Sequence, residues 1–327
     1  MKILALITTL LLICGANAAD TQPAKTFTVK GRQLFDACGE HFVPMGPNRM
    51  VFWLDRSGLS SFSEIAKTGA NSVRIVWTTE GKPAELDAVL KNAFKQQLFP
   101  IIELHDATGD WSKLDLLINY WTRPEIAATI AKHQRYTIVN IGNEVGDKIA
   151  LEQYTKGYSR AITRLREAGY RVPLMIDAPG WGKDIDTLQA AGPALIKADP
   201  QKNILLSVHM WWPKMWGYDA ARVRAEMQES ADANLPLIIG EFGDRWDGSE
   251  GGAIPYQTII KTALELEIGF LPWSWGPGNK PQKHLDMSRD GTFEGLTGWG
   301  REVMLDADYA IARNAKRTHL QKNGECL

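Results

Sequence analysis

The sequence predicts an α/β chain folded as a single (β/α)8 TIM barrel domain with an N-terminal β-hairpin. Three observations carry that prediction. Short apolar, β-branched runs alternate with amphipathic helical stretches eight times between residues 43 and 316. The C-terminal ends of those runs hold polar, charged and aromatic residues, where chance would scatter them along the chain. No Gly-rich phosphate loop follows the first run: 46–49 offers one glycine and a proline. That weakens the alternative of a doubly wound open sheet.

The chain begins with a targeting pattern. Met1-Lys2 is a short positive start, 3–13 is an apolar stretch too short to span a bilayer, and Ala16-Asn17-Ala18 is an A-x-A cleavage site. A signal peptide over 1–18 is expected, leaving 19–327 as the catalytic domain. A lipid anchor at Cys14 is disfavoured, because Ile13 stands where a small residue is needed. No other run is long enough for a membrane span, so a secreted or periplasmic protein is expected.

A hairpin comes next. Residues 26–29 alternate, Lys30-Gly31 turns, 33–35 resumes extension, and 36–39 turns again. In a barrel this hairpin would plug the N-terminal face. The first barrel strand is read at 43–45. The others are 72–77 (SVRIVW), 99–106 (FPIIELHD), 137–144 (TIVNIGNE), 172–177, 204–211 (ILLSVHMW), 236–244 (PLIIGEFGD) and 269–275. Helices are read at 57–69, 83–97, 111–121, 124–135, 148–168, 184–197, 220–233, 256–267 and 301–316. Pro83 marks a first turn, and Gly69 and Gly169 mark stops.

Composition excludes several classes of function. Hydrophobic residues make up 44% of the chain, enough for a full core, and 23% are charged. Net charge is −1, with 37 basic and 38 acidic residues and no basic tract, so no nucleic-acid partner is expected. Twelve tryptophans are many for this length; in an exported protein some can serve as platforms for the apolar face of a sugar. Without residues 1–18, Cys38 and Cys326 remain, and two cysteines in an oxidising compartment can pair. The alternative is two free thiols; a disulfide joining the start of the domain to its last residues is the expectation.

In a barrel the strand tips converge. Here they carry Asn48 and Arg49, Arg74, His105 and Asp106, Asn143 and Glu144, Asp177, His209 and Trp211, Glu241, and Trp273 and Trp275. A lone glutamate after an apolar run is ordinarily a helix N-terminal or solvated residue. Two of them, Glu144 and Glu241, each closing a buried strand, instead suggest glycoside cleavage by paired carboxyls. One must carry a proton for the leaving oxygen and the other must be ionised. Arg74 beside a carboxylate would lower its pKa and keep it ionised. His105 and His209 could bind the sugar or orient the glutamates, and Asn143 could hold a hydroxyl. No HExxH, HxH or CxxC spacing points to a metal, no cofactor is implied, and no G-x-S-x-G is present.

These motifs resemble glycoside hydrolase family 5 of clan A. Arg74, His105, Asn143-Glu144, His209, Glu241 and Trp273 fall on the family's pattern in the family's order. Within it, LHDATG, IDAPGWG, ADPQKNILLSVHM, IIGEFGDRW and PWSWGPGN are most similar to bacterial endo-β-1,4-mannanases. The resemblance implies that Glu144 is the acid/base and Glu241 the nucleophile. It also implies that Asn143 contacts the −1 sugar, Arg74 neighbours the nucleophile and Trp273 floors the −1 subsite. A monomer acting on a polysaccharide is expected. One position departs: Trp211 stands where the family usually has a Tyr whose hydroxyl bonds the nucleophile. An indole N–H can donate one hydrogen bond, and Tyr218 lies in the following loop. A β-1,4-glucanase and a non-catalytic carbohydrate-binding barrel are the alternatives.

Overall fold

The computed structural model describes residues 26–327, so the expected signal peptide lies outside the described residues. Strands β1 (Thr28–Lys30) and β2 (Gln33–Phe35) pair antiparallel across the turn at Gly31, which has φ +59. Eight parallel strands follow: β3 (Asn48–Arg49), β4 (Ser72–Trp77), β5 (Phe99–Leu104), β6 (Ile138–Asn140), β7 (Leu174–Asp177), β8 (Ile204–His209), β9 (Leu237–Glu241) and β10 (Gly269–Phe270). Each pairs with the next in sequence order. The two ends of the sheet also meet. Met45 bridges Phe270 in parallel, Phe270 N–H donates to Pro44 O, and Asn48 N–H donates to Pro272 O, both at 2.9 Å. The sheet therefore closes, as the alternation predicts.

β4 and β5 are buried at every position, because a closed parallel sheet has helices outside and side chains inside. The period of two sorts the residues. Val73, Ile75, Trp77, Ile102 and Leu104 join the large core under the helices. Phe99, Ile101, Ile138, Met175, Leu205, Ile238 and Leu271 form a second cluster with Phe27, Leu34 and Phe42 of the hairpin segment. Phe27 and Phe42 pack edge-on against Phe99 at 4.9 and 5.0 Å. The hairpin is thus the plug of the N-terminal face. Two residues further along the same inward-facing rows Ile101, Ile138, Met175 and Leu205 give way to Glu103, Asn140, Asp177 and Ser207, and β4 adds Arg74. Apolar packing fills the N-terminal half of the barrel, and polar chemistry is left for the C-terminal half.

The first barrel strand, read at 43–45, lies instead at Asn48–Arg49, with only an isolated bridge at Met45 before it, since Pro44 and Pro47 lack the N–H a ladder needs. Several other elements are shorter than the sequence reading. β6 and β10 stop early, and Asn143 and Trp273 beyond them line the cleft instead of continuing a ladder. Residues 301–316, read as one helix, are a short turn (Gly298–Arg301), a π-helical segment (Glu302–Asp306) and another short helix (Ile311–Asn314). Tyr309 donates to Glu302 across this segment. No helix among the described residues is long and apolar enough to cross a membrane.

Cys38 and Cys326 are disulfide-bonded, with Cα atoms 5.3 Å apart and a sequence separation of 288. Cys38 and Leu320 both pack on the plug cluster, so the link lies on the face opposite the polar rim. Alkylation without reductant should leave both sulfurs unmodified by mass; two alkylated thiols would overturn the pairing. Reduction should lower stability by about 3–5 kcal/mol in the chain-entropy picture while leaving catalytic rate at low temperature unchanged.

Candidate active site

The polar half of the barrel is built around Arg74, which is fully buried on β4. Its guanidinium donates to Glu241 Oε1 at 2.8 Å, Asn48 Oδ1 at 2.9 Å and Asn143 Oδ1 at 2.7 Å. It also donates to Asn140 Oδ1 and lies 3.3 Å from Asp177 and 4.0 Å from Glu103. Burial alone would lower its pKa, but the carboxylates Glu103, Asp177 and Glu241 raise it instead. One cation thus ties strands β3, β4, β6, β7 and β9 to a common centre.

Glu241 closes β9, and both of its oxygens are engaged. Oε1 accepts from Arg74, and Oε2 accepts from Trp211 Nε1 at 3.1 Å. The indole therefore makes the bond that the sequence left open. Tyr218 does not reach the centre; it stacks on Trp212 at 4.6 Å. The expectation that Arg74 would hold this carboxyl below the usual range is corrected. Burial raises the Glu241 pKa, and although His209 and Arg74 lower it, the charge of Glu144 adds to burial and the net direction is upward. Two facing carboxyls titrate as a pair and favour a state with one shared proton.

Glu144 sits just past β6 with φ +47, a left-handed turn that an L-residue adopts only when its surroundings enforce it. The enforcing contact is its own N–H donating to Asp177 Oδ2 at 3.1 Å. Its Oε1 accepts from His209 Nδ1 at 2.8 Å. The same Nδ1 lies 3.6 Å from Glu241 Oε2, and Nε2 faces Asp177 Oδ2 at 3.3 Å. Burial would depress the His209 pKa; the negative charges of Glu241 and Asp177 overcome this and push it up to about 10. Asp177 is held down to about 2 despite its burial, by His209 and Arg74. His209 is therefore a cation between the carboxyls.

His105 and Trp273 form one wall, with rings stacked at 5.9 Å. His105 Nδ1 is 2.8 Å from Glu103 Oε1, and this carboxylate outweighs burial to raise the His105 pKa. Trp273 donates through Nε1 to Asn279 Oδ1 at 2.8 Å, which fixes its ring. Asn143, held by Arg74, donates onward to Thr108 Oγ1 at 3.0 Å. The cleft they line with the two glutamates has a volume of about 490 Å³. All eight residues expected at the site converge: Arg74, His105, Asn143, Glu144, His209, Trp211, Glu241 and Trp273. Glu103, Asn140 and Lys183 were not anticipated. Glu103 was legible in principle, being two residues before His105 on the same inward-facing row.

One oxygen each of Glu144 and Glu241 and a ring nitrogen of His209 all lie within 4.8 Å of one another. The same three atoms would be a ligand set for a divalent cation. Arg74 and protonated His209 already place two positive charges there, and the imidazole nitrogen that would ligate is a donor.

The Trp211 bond has a measurable consequence. Trp211→Phe should lower kcat/KM by about 10- to 100-fold, the range for a hydrogen bond to a charged group. It should also move the acid limb of the pH profile upward, because losing a donor disfavours ionised Glu241. Unaltered kinetics and an unmoved limb would mean the indole only packs.

A closed parallel barrel with two facing carboxyls at its C-terminal rim is the architecture of a glycoside hydrolase. Within that class the chain belongs to glycosyl hydrolase family 5: the family model described as cellulase (glycosyl hydrolase family 5) matches residues 35–279. Among its relatives, a mannan endo-1,4-beta-mannosidase of Salipaludibacillus agaradhaerens is 34% identical over 86% of this chain and 92% of that one. Another of the same description, from Streptomyces lividans, is 32% identical over 89% of this chain and 76% of that one. The structure of a beta-mannanase from Streptomyces thermolilacinus with mannohexaose superposes with a TM-score of 0.82 at 29% identity, covering 91% of this chain and 98% of that one.

Proposed function

We propose that residues 19–327 form an exported catalytic domain that hydrolyses internal β-1,4 linkages of mannan with retention of configuration. The observation that carries the mechanism is the approach of Glu144 and Glu241 to within 4.8 Å, oxygen to oxygen. Retaining enzymes hold their carboxyl groups roughly 5–5.5 Å apart, while inverting ones leave roughly 6.5–9.5 Å for a water. The substrate reading is supported by the relatives named as mannan endo-1,4-beta-mannosidases.

Glu241 accepts from Arg74 and Trp211, donors that favour its ionised form, and it attacks the anomeric carbon. Glu144, at the position of the family's acid/base, delivers a proton to the leaving oxygen. Trp273 offers a face for the −1 sugar, and His105 and Asn143 offer donors to its hydroxyls. After glycosylation the negative charge opposite Glu144 is gone, and Glu144 takes a proton from the water that releases the sugar.

Turnover on mannan, glucomannan, carboxymethylcellulose and xylan tests the substrate, and the anomer first released, read by NMR, tests the stereochemistry. Hydrolysis of carboxymethylcellulose but not mannan would replace the mannanase reading by a β-1,4-glucanase one, and binding without any hydrolysis would favour a binding barrel. The acid limb of kcat/KM reports ionisation of Glu241. That group's pKa is raised above its ordinary 4.5, so activity should be present above the raised value and lost as pH falls through it. An acid limb below about 4 contradicts this assignment. Sequencing of the secreted protein should begin at Ala19.

A further inference from the structure

Glu103 is a fully buried carboxylate that neither displacement step uses. It lies on β5, with Oε1 2.8 Å from His105 Nδ1 and 4.0 Å from Arg74 Nη1. Its Oε2 is buried and has no hydrogen-bond partner. Arg74 is already engaged more closely, at 2.8 Å with Glu241 and 3.3 Å with Asp177. His105 is therefore the one close group that can meet the charge of Glu103. A neutral ring would leave this carboxylate in a dry site with only a distant, shared guanidinium. A proton on the ring makes a close ion pair instead.

The ring itself is fixed. The His105 backbone N–H donates to Trp77 O at 2.9 Å, and the imidazole stacks on Trp273 at 5.9 Å and meets Trp53 edge-on at 5.8 Å. With Nδ1 turned to Glu103, Nε2 has no protein partner among the described residues and is open to the cleft that His105 lines. In a neutral ring whose Nδ1–H donates to Glu103, Nε2 is an acceptor. In a charged ring it is a donor. The charge of Glu103 thus decides what the cleft is offered. Burial would strip the proton from His105. Glu103 and, more weakly, Glu241 overcome that, while Arg74 acts with burial. Asp106, the next residue, is turned away onto Thr79.

We propose that Glu103 is a positioning residue that keeps His105 doubly protonated, so that Nε2–H is presented to a hydroxyl of the −1 sugar as a charged donor. This rests on the −1 subsite proposed beside His105, Asn143 and Trp273, but not on the substrate being mannan. Glu103 touches no sugar and acts only through the imidazole.

Glu103→Gln tests this, because it keeps the size and an oxygen acceptor for Nδ1–H and removes the charge. Ring-nitrogen NMR shifts of His105, identified by their loss in His105→Asn, read its protonation directly and need no substrate. At pH 6.5, the ordinary midpoint, the wild-type ring should be mostly doubly protonated. In Glu103→Gln its midpoint should fall by roughly one pH unit or more. Kinetics are then compared on whichever β-1,4-glycan the wild type cleaves. At acid pH, where both rings are charged, kcat/KM of the variant should match wild type. Between the two midpoints it should drop roughly tenfold below wild type, the margin between a charged and a neutral donor. A merely structural role would lower it by one factor at every pH. A neutral wild-type ring at pH 6.5, an unmoved midpoint in the variant, or a kinetic ratio that does not change with pH overturns the proposal. The wild-type titration decides the first of these even where the variant fails to fold. Failure of the wild type on mannan alone sinks the substrate reading and leaves both readouts intact on the glycan that is cleaved.

Discussion

Glu241→Ala is expected to abolish turnover on every substrate, activated or natural, by about 10⁵-fold or more, the scale on which removing a nucleophile leaves only binding and orientation. The reason lies in the coupling around it. Arg74 Nη1 and Trp211 Nε1 donate to the two oxygens of this one carboxylate, at 2.8 and 3.1 Å. Alanine leaves both donors facing the cleft and removes the atom that would bond the anomeric carbon. Neither Asp177 nor Glu103 can substitute, because each is fully buried behind Arg74 and committed to it and to a histidine. The variant should still fold, as the fully buried Arg74 keeps Asn48, Asn140, Asn143 and Asp177 as partners. Residual hydrolysis of a 2,4-dinitrophenyl glycoside near the wild-type rate, in a variant folded by circular dichroism, would remove Glu241 from the nucleophile role.

Much of this site could be read from the chain because a barrel converts sequence order into spatial order. Apolar strands ending in a polar residue have one place to put it, so Glu144, His209 and Glu241 could be assigned to a rim before any geometry was known. What escaped was of two kinds. Buried carriers such as Glu103 and Asn140 lie within the apolar runs of the sequence, where an isolated polar residue gives no local sign of its partner. Lys183 lies in a loop, and its approach to Trp246 depends on how two distant turns pack. The sign of the Glu241 shift also escaped. A sequence shows that Arg74 is available but not that the carboxyl is dry, and dryness outweighed the neighbouring cation. The broken helix at the end of the barrel was missed because side-chain periodicity across 301–316 does not register where the backbone ladder is interrupted.

Glu144→Ala should separate the two steps of the reaction. On mannan, whose leaving oxygen needs a proton, activity should drop by about 10²–10⁴-fold, the usual share of general acid catalysis. On a 2,4-dinitrophenyl β-glycoside, which leaves without protonation, the first step should survive. Release of the glycosyl group from Glu241 should then become limiting for want of a base. Both kcat and KM for that substrate should fall together as the intermediate accumulates. Removing the carboxylate also frees a position for an anion. His209 Nδ1, which had Glu144 Oε1 at 2.8 Å, then faces the vacated place, with Asp177 still 3.3 Å from the other ring nitrogen. Azide can occupy that place and attack from the face that water would use, on the side of the sugar opposite Glu241. Added azide should therefore raise kcat on the activated substrate and give the β-glycosyl azide, with no effect on mannan. An α-azide would mean that the first displacement does not occur at Glu241. Equal losses on mannan and the activated glycoside would mean that Glu144 supplies no proton to the leaving group.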